Sequence, residues 1–275
     1  MIFSKIKKHL SLLHIQLNEN KTLQSMLLER DPILDIIVES FKRLKLNKFH
    51  NQEKTIFKNR KDYRNSLLNN ENIISFKIFG ISKTMTVKEV CEKASSPSMW
   101  GKFFYLITKR FKAPFILEIG TNLGVSGSFF LEAIKGKKDS FFTTMEGVQD
   151  LCEIASNEFN NIVSSEKYHI YNGLYEKTFP KLLGAKDEFN IAFIDGNHNK
   201  KSTLQYYNSL KSKLKTPSII IFDDIHWSSE MEDAWDIIKR DESVSYSIDF
   251  YKLGVIIINS KKSAYNIDYY LHLSY

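Results

Sequence analysis

From Phe115 onward, short apolar runs alternate with longer amphipathic stretches, and this alternation restricts the fold more than any other feature of the sequence. The runs are rich in β-branched and aromatic residues and have the length of buried strands, whereas the stretches between them are long enough for helices. Such an alternation is typical of an open, mainly parallel sheet that helices cover on both faces. The runs are FILEIG, SFFTTMEG, KYHIYNG, FNIAFIDG, SIIIFDD, SYSIDFY and LGVIIIN.

These runs predict seven strands. The last two are separated only by a short turn near residues 252–254, which indicates an antiparallel hairpin. We therefore expect a Rossmann-like α/β fold, in which a seven-stranded, mainly parallel sheet has an antiparallel C-terminal hairpin at one edge.

Residues 1–70 have a different pattern, with apolar residues at the three-to-four spacing of helices. Asp31-Pro32 predicts the start of the second helix, with Asp as the cap and Pro in the first turn. We divide the chain at residue 85. Residues 1–85 would form a helical region that serves as a lid, a substrate platform or a dimer contact, and residues 86–275 would form the domain that binds the ligand.

The basic excess of the chain lies in the first of these regions. Residues 1–85 contain 16 Lys and Arg against 8 Asp and Glu, whereas the remaining residues contain 23 and 24. The positive residues are scattered along helical patterns, which favours solvated helix faces over a surface that binds a polyanion. A surface that binds a polyanion stays an alternative, to which we return at the end of this subsection.

Composition and cysteine content exclude several classes of protein. Hydrophobic residues make up 43% of the chain, which argues against a disordered protein. No apolar run reaches the length of about 18 residues that a membrane-spanning helix needs. Cys91 and Cys152 are too few for a disulfide framework or a structural zinc site, which indicates the cytoplasm.

Carboxylates or glycines follow five consecutive predicted strands. In open parallel sheets, ligands bind beyond the carboxyl ends of the strands, so these residues are candidate functional residues. Acids at four of the five ends exceed what strand termination alone would explain. The segments are EIGTNLG (118–124), EG (146–147), NG (172–173), DGNH (195–198) and DDIH (223–226).

The glycine loop after the first of these strands distinguishes between cofactors. A dinucleotide site uses G-x-G-x-x-G, whose second glycine lets the backbone approach the pyrophosphate. Here Asn122 takes that place between Gly120 and Gly124, which disfavours a nicotinamide oxidoreductase. Glu118 suits an ammonium group better than a phosphate, and Glu146 could accept hydrogen bonds from both hydroxyls of a ribose. A ribose and an ammonium group without phosphate describe S-adenosylmethionine.

Together with FILEIGTNLGVSGSFFLEAI and IIIFDDIHWSSEMEDAW, these segments resemble the class I S-adenosylmethionine-dependent methyltransferases. The resemblance is greatest to the small-molecule bacterial branch with catechol O-methyltransferase-like enzymes, and it covers about residues 112–260. It implies methyl transfer to a small or medium-sized acceptor that bears a hydroxyl group. It also implies that the cofactor is bound by Glu118, Gly120, Thr121, Asn122, Gly124, Ser126, Glu146, Gly173 and Asp195.

The resemblance has consequences for catalysis as well, because methyl transfer from a sulfonium needs an aligned acceptor that loses its proton. Asp195, Asp223 and Asp224 match the acids of metal-dependent members, and three carboxylates suit Mg²⁺ or another divalent cation. The catechol enzymes have a catalytic lysine shortly after the first of these acids, where this chain has Gly196-Asn197-His198. His198 or His226 is then the candidate general base, with Asp195 in the same catalytic group.

Two other functions stay open at this point. One is a methyltransferase of nucleic acid or another macromolecule, which would hold phosphates with the basic N-terminal third. The other is a cofactor-binding protein without catalysis, against which the acids at four strand ends argue. A homodimer is compatible with either enzyme.

Overall fold

The computed structural model describes residues 2–259 and 266–273. Its helices are α1 (Ile2–Leu28), α2 (Pro32–Lys45), α3 (Asn51–Leu68), α4 (Val87–Ala94), α5 (Ser98–Arg110), α6 (Val125–Ile134), α7 (Gln149–Ile162), α8 (Tyr175–Gly184), α9 (Lys200–Leu210) and α10 (Ser229–Ile238). Its strands are β1 (Ile73–Ser75), β2 (Thr84–Thr86), β3 (Phe115–Ile119), β4 (Phe141–Glu146), β5 (Tyr168–Asn172), β6 (Phe189–Ile194), β7 (Leu214–Phe222), β8 (Val244–Asp249), β9 (Gly254–Ile258) and β10 (Ile267–Tyr270). Among these helices, none is both long and apolar enough to cross a membrane.

Eight of the described strands form one sheet, in the order β10-β8-β9-β7-β6-β3-β4-β5. Strands β3, β4 and β5 pair in parallel, as do β8 and β10. Strand β9 runs antiparallel to its neighbours β7 and β8. The predicted fold is confirmed: the seven expected strands are present, the sheet is mainly parallel, and helices precede it.

The strand β10 was not predicted from the sequence. It has only four residues and is partly exposed, so it lacks the apolar run that marks the other strands. Strand β10 pairs with β8 and forms the edge of the sheet. The expectation that the hairpin of β8 and β9 lies at the edge is therefore wrong.

The described chain divides into two compact units. We call residues 43–192 the central unit and residues 1–42 with 193–275 the split unit. This division does not coincide with the predicted boundary at residue 85, because α3, which precedes residue 85, lies within the central unit. The assignment of residues 1–85 to a separate functional region stays a prediction.

Within the central unit, α3 is joined to its neighbours by buried charges. The Arg60 guanidinium lies 2.5 Å from Glu158 Oε1 and 3.4 Å from Glu132 Oε1. All three side chains are nearly inaccessible to solvent, and removal of one member of such a group leaves an uncompensated buried charge. Next to this group, Leu67 packs in one apolar cluster with Val90 of α4 and other buried residues. Helix α3 is therefore part of the core of this unit.

Within the split unit, the first two helices contact the last strands. Asp31 Oδ1 accepts hydrogen bonds from the backbone N–H groups of Ile33 (2.8 Å) and Leu34 (3.3 Å), so Asp31 caps α2 as predicted. The ring centroids of Phe41 and Phe250 lie 6.1 Å apart. These contacts explain why the apolar face of α2 is buried.

Candidate functional site

The loop between β3 and α6 has a backbone that few residue types can adopt. Gly120, Asn122 and Gly124 have positive φ angles of 106°, 49° and 71°. Gly124 also lies where a Cβ atom would approach both Ala155 Cβ and Phe159 Cε1 to 2.9 Å. Glycine is required at 124 for both reasons, and asparagine is one of the few other residues that tolerate the left-handed conformation. The G-x-x-x-G spacing therefore encodes the shape of this loop.

Asn122 is fixed by three hydrogen bonds. Its backbone N–H donates to Glu146 Oε2 (2.9 Å), and its Nδ2 donates to the carbonyl of Ala94 (2.9 Å). Its Oδ1 accepts from the N–H of Leu123 (2.7 Å). The loop is thus tied to the end of β4 and to the end of α4.

Glu146, the last residue of β4, is buried and anchored by the backbone. Its Oε1 accepts a hydrogen bond from the N–H of Val148 (2.9 Å), and its Oε2 accepts that of Asn122. Burial raises the pKa of Glu146, while the N–H groups of Val148, Asn122 and Gly147 oppose this rise. Because each carboxylate oxygen can accept two hydrogen bonds, Glu146 keeps capacity for the hydroxyl groups of a ligand.

Glu118 and two other predicted residues form an internal network. The Glu118 carboxylate is completely buried and accepts hydrogen bonds from Ser126 Oγ (2.5 Å) and Thr144 Oγ1 (2.9 Å). The hydroxyls of Thr121 and Thr144 lie 2.7 Å apart. Thr144 was not predicted, although a threonine pair inside the apolar strand FFTTME was the available signal. That Glu118, Thr121 and Ser126 contact a cofactor stays a prediction.

The end of β5 lies beside the end of β4. Asn172 is the register partner of Glu146, and the N–H of Gly173 donates to the carbonyl of Glu146 (2.8 Å). Gly173 has a φ angle of 134°. The structure therefore brings together the glycine loop, Glu146 and Gly173, as the strand-end argument predicted.

Helix α3 also reaches the glycine loop. The Tyr63 hydroxyl donates a hydrogen bond to the carbonyl of Leu123 (2.6 Å), and burial raises the pKa of Tyr63. No sequence pattern indicates this contact, because it joins a side chain to a backbone atom across 60 positions.

A second group of predicted residues lies in the split unit, after β6 and β7. His198 Nε2 lies 3.3 Å from Asp195 Oδ1. The hydrogen bond to Asp195 raises the pKa of His198 despite burial, and the charges of Asp223 and Asp224 act in the same direction. His198 and Asp195 form a pair that can hold a proton.

Asp223 and Asp224 contact a lysine that the sequence analysis missed. Lys252 Nζ lies 2.9 Å from Asp224 Oδ1 and 4.0 Å from Asp223 Oδ1. Burial raises the pKa of Asp223 well above its ordinary value, the charges of Asp195 and Asp224 add to the rise, and Lys252 opposes it. Burial lowers the pKa of Lys252, but these acids outweigh burial and raise it overall.

With Lys252 in contact with Asp223 and Asp224, the three acids do not form a site for a divalent cation. Across residues 2–259 and 266–273, no three His, Cys, Asp or Glu side chains converge in a way that could hold a metal ion. The positive charge nearest to Asp224 is the ammonium group of Lys252. We therefore derive no catalytic step through a metal at Asp195, Asp223 and Asp224.

His226, the second candidate base, is held between carboxylates. Its Nε2 lies 2.8 Å from Asp249 Oδ2, its Nδ1 lies 3.1 Å from Glu232 Oε1, and its ring stacks on Tyr251. Burial lowers the pKa of His226, but the two carboxylates outweigh burial and raise it. Because both ring nitrogens contact acids, this histidine is suited to stay protonated. That His198 or His226 is the general base stays a prediction, and these contacts favour His198.

Comparison with known proteins agrees with this architecture. Residues 117–225 match the family model described as a methyltransferase domain. No curated protein matches this sequence. Among solved structures, the chain is similar to the O-methyltransferase of Bacillus cereus in complex with S-adenosylhomocysteine, with 18% identity and a TM-score of 0.52 over 61% of this chain and 84% of that chain.

Two further structures have the same fold. The methyltransferase PaMTH1 of Podospora anserina, bound to S-adenosylhomocysteine, is 16% identical with a TM-score of 0.53, over 78% of this chain and 98% of that chain. The O-methyltransferase TomG of Streptomyces achromogenes, in complex with S-adenosylmethionine, is 16% identical with a TM-score of 0.51, over 61% and 82%. At these identities the likeness establishes the fold.

Proposed function

We propose that this chain is an S-adenosylmethionine-dependent methyltransferase that transfers a methyl group to a hydroxyl oxygen of a small or medium-sized acceptor, because residues 117–225 match a methyltransferase domain. The observation that supports this most directly is the anchored carboxylate of Glu146 beside the loop of residues 120–124. The similar structures from Bacillus cereus and Streptomyces achromogenes, both described as O-methyltransferases, support oxygen as the accepting atom.

The residues of the central unit fit S-adenosylmethionine by their chemistry. Glu146 is oriented by two backbone N–H groups and has lone pairs left for the two ribose hydroxyls. The loop of residues 120–124 would hold the methionine part, and Asn122 stands where a dinucleotide site needs its second glycine for the approach of the pyrophosphate. When bound, the cofactor supplies a methyl group on a positively charged sulfur atom.

The residues of the split unit would act on the acceptor. His198 would accept the proton of the acceptor hydroxyl, so that the oxygen can attack the methyl carbon with its electron pair. Asp195 would orient the imidazole ring and stabilise its protonated form, as their 3.3 Å contact permits. His226 would remain a fixed positive group between Asp249 and Glu232.

A macromolecular acceptor has less support. Some of the basic side chains in the N-terminal third are already neutralised: Arg60 pairs with Glu158, and Arg43 pairs with Glu53. These pairs reduce the positive charge available for phosphates. If the chain nevertheless acts on RNA, its binding to RNA should weaken steeply with salt concentration.

We also propose a cytoplasmic location, which the two free, buried cysteines support.

The test of this function separates binding from transfer. Calorimetry of the purified full-length chain should detect one site for S-adenosylhomocysteine and no binding of NAD. Incubation with methyl-labelled S-adenosylmethionine and a panel of phenols, catechols, hydroxy acids and amines should label hydroxyl oxygens only. Labelling of amines alone, or absence of cofactor binding, would contradict the proposal, and size-exclusion chromatography with light scattering on the same sample would test for a homodimer.

A further inference from the structure

Lys252 lies in a tight turn between β8 and β9 whose backbone is fixed by its own hydrogen bonds. The N–H of Phe250 donates to the carbonyl of Leu253 (2.9 Å), and the N–H of Tyr251 donates to Asp249 Oδ1 (2.7 Å). Tyr251 has a φ angle of 73°, which is unusual for a residue with a side chain. The position of Lys252 in the turn is therefore well determined.

The same turn is held against the loop that follows β7. The N–H of Ile225 donates to the carbonyl of Lys252 (3.3 Å). At Gly254 a Cβ atom would lie 2.7 Å from the Trp235 ring and 2.9 Å from Ile225 Cγ2, so no larger residue fits there. On the other side of the contact, the carbonyl of Asp224 accepts a hydrogen bond from the N–H of Trp227 (2.9 Å). Both partners of the Lys252–Asp224 ion pair thus have fixed backbones.

The carboxylates around Lys252 need a positive charge close to them. Asp223 and Asp224 are adjacent, and the charge of Asp195 also acts on Asp223. Carboxylates that share a partly buried site repel one another. The Lys252 ammonium lies within ion-pair distance of two of them, so it supplies positive charge where these carboxylates need it.

We infer that Lys252 is the resident cation of this acidic group, so that the chain methylates its acceptor without a divalent metal. The methylation part of this inference rests on the proposed function, whereas the contact between Lys252 and the acids does not. Lys252 acts as a positioning residue, because its ammonium group holds the carboxylates of Asp223 and Asp224. It thereby supplies positive charge to the carboxylates for which the resemblance implies a divalent cation.

Binding of Mn²⁺ to the full-length chain, followed by electron paramagnetic resonance, tests this inference without measuring activity. The wild-type chain should show no saturable Mn²⁺ binding. Lys252→Met removes the charge but keeps the length of the side chain, and it should gain a saturable Mn²⁺ site that wild type lacks, because the acids then have no cation beside them. Lys252→Arg, the matched control, should behave as wild type.

The double variant Lys252→Met with Asp224→Asn should lose the Mn²⁺ binding gained by the single variant. The inference would be overturned if wild type binds Mn²⁺ in a saturable manner and Asp224→Asn abolishes this binding. A folded Lys252→Met variant without Mn²⁺ binding would overturn it as well, with circular dichroism as the check of folding. Calorimetry with S-adenosylhomocysteine on the same samples tests the proposed function separately, since loss of that binding would leave the Mn²⁺ result standing.

Discussion

A general base works best when its pKa lies near the working pH, and the contacts of single residues decide which histidine meets this condition. His198 has Asp195 on one nitrogen, so it can alternate between a neutral and a protonated ring. His226 has an acid on each nitrogen and is stabilised in the protonated form alone. The same residue type therefore has different chemistry at the two positions.

The pH dependence of methylation should reveal His198. In the proposed mechanism its neutral form accepts the proton, and its pKa is raised, so kcat/KM should rise with pH and reach half of its plateau above the ordinary histidine value of about 6.5. Asp195→Asn removes the largest cause of the rise, and the midpoint should move to lower pH. The rate-against-pH profiles of the two proteins provide the measurement, and an unchanged midpoint in the variant would exclude His198 as the titrating base.

At Glu146, replacement by alanine should weaken binding of S-adenosylhomocysteine. Loss of charge-assisted hydrogen bonds to the ribose costs on the order of 1.5–3 kcal/mol, which isothermal titration calorimetry resolves easily. Glu153→Ala is the matched control, because Glu153 is an exposed carboxylate on the following helix α7. Equal affinities in the wild type and both variants would remove Glu146 from the cofactor site.

At the scale of elements, helix α3 has two kinds of contact in the central unit. Arg60 joins it to Glu132 and Glu158 through buried charges, and Tyr63 joins it to the carbonyl of Leu123 in the glycine loop. A helix that precedes the sheet by more than 40 residues therefore supports the loop that we assign to the cofactor. Deletion of residues 1–85 would remove this support together with part of the core.

Tyr63→Phe tests this support with the loss of a single hydroxyl. The variant leaves the carbonyl of Leu123 without this donor, and we expect the affinity for S-adenosylhomocysteine to fall by about 0.5–1.5 kcal/mol. Tyr168→Phe removes a hydroxyl that contacts Ser156 and Asn160 in the same unit, so it should affect stability but not affinity. Calorimetry and urea unfolding of both variants separate the two effects, and equal losses of affinity would argue against a specific role of Tyr63.

The elements differ in how far the sequence predicts them. The buried strands were predictable because each forms a continuous apolar run, and the loop of residues 120–124 was predictable because its glycines lie where the backbone requires them. Strand β10 was not, since four half-exposed residues give no pattern. Lys252 and Tyr63 were missed for another reason: each meets its partner only after distant segments have folded together.

At the scale of the whole molecule, the net charge of +7 is a sum over two unlike parts. The excess lies in residues 1–85, and Glu158, which lies outside this region, pairs with Arg60 from it. The remainder of the chain is nearly neutral, although it contains the acids of the candidate site. Net charge alone is therefore a poor guide to the partner of this chain.

Hydrogen–deuterium exchange on the full-length chain would locate the bound cofactor without any substitution. With saturating S-adenosylhomocysteine, we expect slower exchange in residues 120–124, 146–148 and 172–173, whose backbone groups meet around Glu146. A ligand at 100 times its dissociation constant also adds about 2.7 kcal/mol to the free energy of unfolding. Amides elsewhere that exchange only through global unfolding should therefore slow by one common factor. Unchanged exchange in these three segments would contradict the assigned site.

The backbone of Asp224 has a consequence for how this position tolerates change. Its φ angle of 53° lies in the left-handed region, where asparagine and glycine are accepted and most other residues are strained. The exchange of Asp224 for asparagine therefore alters charge while leaving the chain path intact, whereas alanine or glutamate alters both. In a library of all substitutions at this position, folding and chemistry would be read out separately: only a few residues would preserve the fold, and among those the carboxylate alone would keep its ion pair with Lys252.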